Sequence, residues 1–215
     1  MKKLVIWDLD GTLLNTIADL ARSTNYALRE NGFPEHEVSA YNFFVGNGIN
    51  KLFERALPEG ARDETNIRRI REAFLPYYDR HNADESAPYP GIPELLDRLA
   101  RQGVKLAVAS NKYQAATRAL ISRFFPTIPF AVVLGQREGI PTKPDPAIVD
   151  EILARTGIAR EDTLYVGDSD VDMRTALNSG VDACGVCWGF RPRAELEKYH
   201  PAYIAERPED IPAFL

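Results

Sequence analysis

Leu4-Val5-Ile6-Trp7-Asp8-Leu9-Asp10-Gly11-Thr12 is the stretch on which the fold turns. Its apolar start reads as a buried strand, and two acids follow at once. Successive side chains of an extended segment alternate faces, so Asp8 and Asp10 project together and Leu9 points away. Both carboxylates then stand beyond the carboxyl end of the strand, where open α/β sheets hold their ligands. Like charges so close repel, which calls for a cation between them or a proton held on one, hence for a metal or for acid–base chemistry. The competing local reading is a plain strand-end turn, since Asp-Gly is ordinary turn chemistry and acids are frequent at helix starts.

Outward from this stretch the pattern becomes helical. Ile17, Leu20, Ala21, Thr24, Ala27 and Leu28 recur at helical spacing until Asn31-Gly32 stops them. Segments near 35–45, 49–57 and 62–82 also read as helices, joined at Val45-Gly46-Asn47-Gly48 and Pro58-Glu59-Gly60, and Pro88-Tyr89-Pro90-Gly91 closes the series. Beyond it helices near 93–102, 113–123, 145–156 and 171–178 alternate with strands at Lys105–Ala109, Phe130–Leu134, Thr163–Val166, Asp182–Val186 and Tyr203–Ile204. Such alternation predicts an α/β fold whose core is a Rossmann-like parallel sheet with helices on both faces. Leu4–Trp7 is too apolar to stand alone and joins that sheet. Residues 1–14 and 88–215 then form the core domain, and 15–87 an all-helical cap domain inserted over the active end of the sheet.

A chain of 215 residues, 45% of them hydrophobic, can bury one good core plus a smaller satellite. Its 31 acids against 26 bases leave a net charge of -5, which argues against nucleic acid as a partner and suits a small anionic ligand held in a local pocket. No apolar run is long enough to cross a bilayer, and the N-terminal one is too short for a signal peptide, so no membrane partner and a cytoplasmic location are expected. Cys184 and Cys187 have C-x-x-C spacing, yet they lie in an apolar strand without a second ligand pair and read as core residues. His36, His81 and His200 stand apart in polar surroundings and read as surface residues. Phe43, Phe44, Phe74 and Tyr77 pack either within the cap or against a second copy, giving a monomer or a homodimer.

Three further strand or loop ends carry polar groups. Ser110-Asn111 after Lys105–Ala109 offers a hydroxyl, an amide and backbone N–H groups, which make either an anion cradle or a simple helix cap. Lys143 before Pro144 is held extended and either projects an ammonium into a site or stays in solvent. Gly167-Asp168-Ser169-Asp170-Val171-Asp172 places three acids after a buried strand, where a hard cation could be held by oxygen ligands; helix capping accounts for one of them.

In order and spacing these four motifs resemble the haloacid dehalogenase-like hydrolase superfamily (HAD-like), and the resemblance spans essentially the whole chain, helical insertion included. It implies that Asp8 is a nucleophile attacking phosphorus to form an aspartyl-phosphate, and that Asp10 is the general acid and then the general base. It implies that Thr12, Ser110, Asn111 and Lys143 hold the phosphoryl oxygens. Magnesium (Mg2+) would take an Asp8 carboxylate oxygen, the Asp10 carbonyl and Asp168, with Asp172 joining directly or through water. Asp170 is left solvated or as a helix cap.

Asp10 disfavours the family's dehalogenases and phosphonate hydrolases, which lack the second acid; the latter also need a cap lysine, and Lys51 is the only one in 15–87. Phosphatases and mutases similar to β-phosphoglucomutase keep both acids. Val45-Gly46-Asn47-Gly48-Ile49-Asn50-Lys51-Leu52 resembles the substrate-facing cap stretch of the phosphoglycolate phosphatase branch, in which Asn50 and Lys51 would reach a second anionic group of the ligand; an ordinary interhelical turn is the alternative. Trp188-Gly189-Phe190-Arg191 also resembles that branch, unless its aromatics only pack the sheet edge. The expected partner is a small anionic phosphorylated metabolite, with pyrophosphate, nucleoside monophosphates and sugar phosphates as alternatives. A phospholigand-binding protein without turnover is the reading from another class.

Overall fold

The computed structural model describes residues 1–215. β1 (Leu4–Trp7) is buried at every position. It is followed by a two-residue strand, β2 (Leu14–Asn15), from which the chain leaves into four helices: α1 (Ile17–Glu30), α2 (Val38–Phe44), α3 (Ile49–Ala56) and α4 (Glu64–His81). The chain returns through β3 (Ala87–Pro88), which pairs antiparallel with β2. Asp19, buried at the start of α1, accepts hydrogen bonds from the N–H groups of Glu85 and Ser86 and from the Ser86 hydroxyl, so the two linkers are tied side by side.

From there helices and strands alternate: α5 (Ile92–Arg101), β4 (Lys105–Tyr113), α6 (Gln114–Phe124), β5 (Phe130–Gln136), α7 (Ala147–Thr156), β6 (Thr163–Gly167), α8 (Asp170–Ser179), β7 (Asp182–Val186), α9 (Arg193–Leu196) and β8 (Tyr203–Ala205). The sheet is parallel throughout, in the order β5-β4-β1-β6-β7-β8. The order reverses at β1, which makes the carboxyl end of β1 the topological switch point where such sheets bind ligands. Val5, Trp7, Val108 and Val166 pack one face with α5, and Leu4, Ile6, Ala107 and Tyr165 pack the other with α7 and α8. Burial on both faces explains why these strands read as continuous apolar runs.

The helical insertion has its own core of Leu20, Leu28, Tyr41, Leu52, Phe53, Ile70, Phe74 and Tyr78. Full burial of each large side chain is worth about 1.5–3 kcal/mol, and it is packing of this kind, more than helix propensity, that stabilises helices in proteins. Phe74 stacks on Tyr78 at 5.0 Å and meets Phe53 edge-on at 5.0 Å, while Tyr77 stacks on Tyr26 at 4.0 Å. Phe43 is 60% exposed and lies under the guanidinium of Arg191.

Several boundaries differ from expectation. β4 runs four residues past Ala109, because an irregularity between Ala109 and Tyr113 lets the ladder resume at Tyr113 opposite Gln136. The bulge packs onto Gly135, where any Cβ would strike the Lys112 carbonyl and Thr117. His36 is half-buried rather than on the surface, with Nε2 2.7 Å from the Ala56 carbonyl oxygen and its ring edge-on to Phe44. Cys184 is buried in β7, whereas Cys187 lies past the strand and is half-buried; burial pushes the two thiols up to about 12 and about 11.

Candidate active site

Asp8 follows β1 and extends its ladder, its N–H donating to the Val166 carbonyl at 2.9 Å. Asp168 follows β6 and Asp172 lies in the first turn of α8, on the neighbouring strand–helix unit. Asp8, Asp168 and Asp172 each offer a carboxylate oxygen within 4.8 Å of the others, and all three are buried. The crowding is enforced by glycines: a Cβ at Gly11 or Gly189 would overlap the Asp168 carboxylate, and one at Gly167 would overlap Asp172. Gly11 also needs the freedom of glycine for its φ of +89°.

One ammonium faces this cluster. Lys143, 3% exposed, donates to Asp8 Oδ1 at 2.8 Å, Asp172 Oδ1 at 2.7 Å and the Tyr165 hydroxyl at 3.0 Å. Burial disfavours its charge, but the Asp172 and Asp8 carboxylates outweigh that and hold it well above the usual lysine range. Burial, reinforced by the Asp172 charge, pushes the Asp8 carboxyl up to about 7 despite Lys143. Asp168 is driven well above the carboxylate range by burial and by Asp172 and Asp8; Thr12 Oγ1 at 3.3 Å and the Phe190 N–H at 2.7 Å donate to it. Three buried carboxylates against one ammonium leave an excess of anionic oxygen, the donor set a hard divalent cation takes.

Asp172 has both oxygens engaged, Oδ1 by Lys143 and Oδ2 by the N–H and hydroxyl of Ser169 in a capping box. Asp170 is paired with Arg174. Asp10 lies outside the cluster: Thr16 Oγ1 donates to its Oδ1 at 2.7 Å, and Lys112 Nζ stands 3.1 Å from its Oδ2. Ser110 is buried and its Oγ accepts from the Lys112 N–H at 3.1 Å. Asn111 acts as a staple, its amide donating to the Lys143 carbonyl at 3.1 Å and the Gly46 carbonyl at 3.0 Å while its oxygen accepts from the Lys143 N–H at 2.9 Å.

The helical insertion closes over this site. Gly46, Gly48, Ile49 and Leu52 line a cavity with Asp8, Asp10, Ser110 and Lys112. The structure does not bring Asn50 and Lys51 into it. They are exposed and border a separate groove with Arg68 and Arg71, and Lys51 Nζ is paired with Glu54 at 2.6 Å. Trp188-Gly189-Phe190-Arg191, by contrast, does more than pack an edge. The Trp188 indole donates to the Thr12 carbonyl at 3.0 Å, and Arg191 donates to the Val45 carbonyl at 3.0 Å across to the insertion.

Three residues at the site escaped the reading of the sequence: Lys112, Thr16 and Tyr165. Lys112 adjoins Ser110-Asn111 and Thr16 precedes α1 as a cap residue would, so their positions were signals of a kind. Nothing local marks Tyr165.

The parallel sheet with its acidic switch point defines an α/β protein with a ligand site at the end of β1, and comparison with known proteins gives its family. The model of the haloacid dehalogenase-like hydrolase family matches residues 5–186, and the chain belongs to that family. It is similar to the phosphoglycolate phosphatase of Mesorhizobium japonicum, 32% identical over 205 residues, which cover 94% of this chain and 90% of that one. The phosphoglycolate phosphatase of Mannheimia succiniciproducens is 32% identical over 216 residues, 97% of this chain and 96% of that one. A solved structure from Lactobacillus delbrueckii subsp. bulgaricus, provisionally named a phosphoglycolate phosphatase, superposes with a TM-score of 0.91 at 34% identity, covering 98% of this chain and 97% of that one. No helix of the protein is long and apolar enough to cross a membrane.

Proposed function

We propose that the protein is a magnesium-dependent phosphatase that hydrolyses 2-phosphoglycolate through an aspartyl-phosphate on Asp8. The observation that carries this reading is the split of the two acids: Asp8 sits among Lys143, Asp168 and Asp172, and Asp10 stands apart, held by Thr16 and Lys112. That split suits one carboxylate to attack and the other to proton transfer. The relatives named phosphoglycolate phosphatase support the substrate.

Asp8 attacks phosphorus in line, the bond from phosphorus to the ester oxygen breaks, and Asp10 gives its proton to the departing alkoxide. Asp10 then takes a proton from the water that attacks the aspartyl-phosphate, which releases inorganic phosphate and restores Asp8. Acid–base help of this kind contributes roughly 10²–10⁴-fold. Lys143 neutralises the transferring phosphoryl group, with Thr12 and Ser110 at its rim; Asn111 holds Lys143 and the Gly46 turn in place. Asp8 and Asp168 would hold magnesium, with the Asp10 carbonyl, and Asp172 serves through Lys143 or a water. Bound there, the ion supplies positive charge to the phosphoryl oxygens. The helices of 15–87 act as a cap that excludes water and selects substrate. Both cysteines are free, which suits a reducing compartment such as the cytoplasm.

The test is magnesium-dependent phosphate release from 2-phosphoglycolate, pyrophosphate, nucleoside monophosphates and hexose phosphates, with Asp8→Asn as the blank. A preference for 2-phosphoglycolate of about tenfold or more is expected. Preference for another member of the panel would replace the substrate, and release by Asp8→Asn at the parental rate would remove the nucleophile.

A further inference from the structure

We propose that Lys112 selects the substrate by binding a carboxylate carried on the carbon next to the ester oxygen. The inference rests on the phosphatase reading above and names the group that chooses among phosphomonoesters.

Lys112 is 6% exposed, yet it lines the cavity over Asp8 and Asp10. Its Nζ lies 3.1 Å from Asp10 Oδ2 and 2.7 Å from the Tyr78 hydroxyl oxygen, and 4.8 Å from the centre of the Tyr78 ring. An ammonium has three N–H donors, and these two acceptors leave one unfilled. A buried charge short of partners is costly, so a ligand that brings an anionic oxygen there is favoured.

The other cations nearby are either engaged or outside this cavity. Lys143 fills all three donors with Asp8, Asp172 and Tyr165. Arg191 holds the Val45 carbonyl and Glu195 and leaves Nη1 without a partner, but it lines a second cavity beside Asp168 and Phe190 and not the one that Lys112 lines. Arg55 holds Asn47 and the Phe44 carbonyl. Lys51 is outside the cavity with Glu54.

Position gives the chemistry. Asp10 must reach the ester oxygen to protonate it, so a group 3.1 Å from Asp10 stands beside the first carbon of the leaving group. In 2-phosphoglycolate that carbon bears the carboxylate. Leu20, Ile49 and Leu52 wall the same cavity, and in such low-dielectric surroundings an ion pair is stronger than in water. Tyr78 belongs to α4, so the ammonium is steadied from the helical insertion while its stem comes from the β4 bulge.

The experiment compares kcat/KM for 2-phosphoglycolate with that for ethyl phosphate, in which a methyl replaces the carboxylate, in the parent protein and in Lys112→Met. The parent should prefer the carboxylate ester, and the ratio should fall by about 30-fold in Lys112→Met, the scale for a charged hydrogen bond lost from a closed site. A residue that merely positions Asp10 would lower both rates together, and an unchanged ratio would overturn the proposal. Lys112→Gln provides the same reading if the methionine variant does not fold. The unaltered protein gives a further check: 2-aminoethyl phosphate should be a poorer substrate than ethyl phosphate, and equal or better turnover would overturn the assignment. A parent that cleaves both esters without preference refutes the phosphoglycolate reading, whereas a preference that survives in Lys112→Met refutes Lys112 alone.

Discussion

Removing Lys143 should destabilise the protein by a large and specific amount. Its ammonium makes three contacts of 2.7 to 3.0 Å with Asp172, Asp8 and Tyr165, and Asp172 is wholly buried. Lys143→Met keeps much of the stem's volume and removes the charge, so two buried carboxyls face each other without a cation. Breaking a buried ion pair by deleting one partner costs about 3–5 kcal/mol, about a fifth or more of the roughly 5–15 kcal/mol that holds a typical domain together. Neutralising one acid as well, in Lys143→Met/Asp172→Asn, relieves the repulsion, so the double variant should be more stable than the sum of the singles by about 1–3 kcal/mol. Urea unfolding followed by far-ultraviolet circular dichroism, with a chelator present, measures all four proteins. A loss below about 1 kcal/mol in Lys143→Met, or strict additivity in the double variant, would refute the view that Lys143 holds the acidic cluster together.

Phe74→Ala removes the centre of the insertion's aromatic stack and should cost about 3–5 kcal/mol, with hydrogen exchange rising in α1–α4 before it rises in the sheet. Gly11→Ala forces a Cβ into the Asp168 carboxylate at a φ of +89°, and kcat/KM for phosphate release should fall about 10²-fold while the far-ultraviolet spectrum is kept. A hydrogen bond from Arg137, with the charges of Arg137 and Arg155, holds the Glu151 carboxyl below its usual range. A depressed folded pKa adds stability above the unfolded value and loses it as pH falls through the folded one. Glu151→Gln should therefore lower Tm by about 1–4 °C at neutral pH and by nothing measurable well below pH ~4.

The sheet was legible because β1 is uniformly apolar, and the acid pair was legible as two acids at its end. Their separation was not, because the strand stops at Trp7 and the turn that follows sends Asp10 to Thr16 and Lys112. Asp168 and Lys143 were legible as polar groups at the ends of buried strands or in the loops that follow them. Lys112 was not, because its aim depends on a bulge that only Gly135, on the neighbouring strand, makes room for. The misplacement of Asn50 and Lys51 has a helical cause. Leu52, Phe53 and Ala56 are the buried face of α3, and Ile49 lies on the same side as Leu52, so the two residues between them turn outward. Apolar spacing within 49–56 held that information, but proximity to the glycines outweighed it. Tyr165 reaches the site through contacts made only when distant strands assemble, and no short-range pattern encodes those.

The short ribbon of β2 and β3, with Asp19 bridging onto Ser86, brings the two ends of the helical insertion together. To the sheet, everything between them is a side loop entered and left at one point, however long it becomes. A different helical module whose ends meet the same ribbon could be grafted there without moving Asp8, Lys143 or Asp168. A chimera made at Leu14–Asn15 and Ala87–Pro88 should keep from the sheet's parent both the acidic cluster and the Lys112 that faces the leaving group, while the grafted helices replace the Leu20, Ile49 and Leu52 wall opposite them.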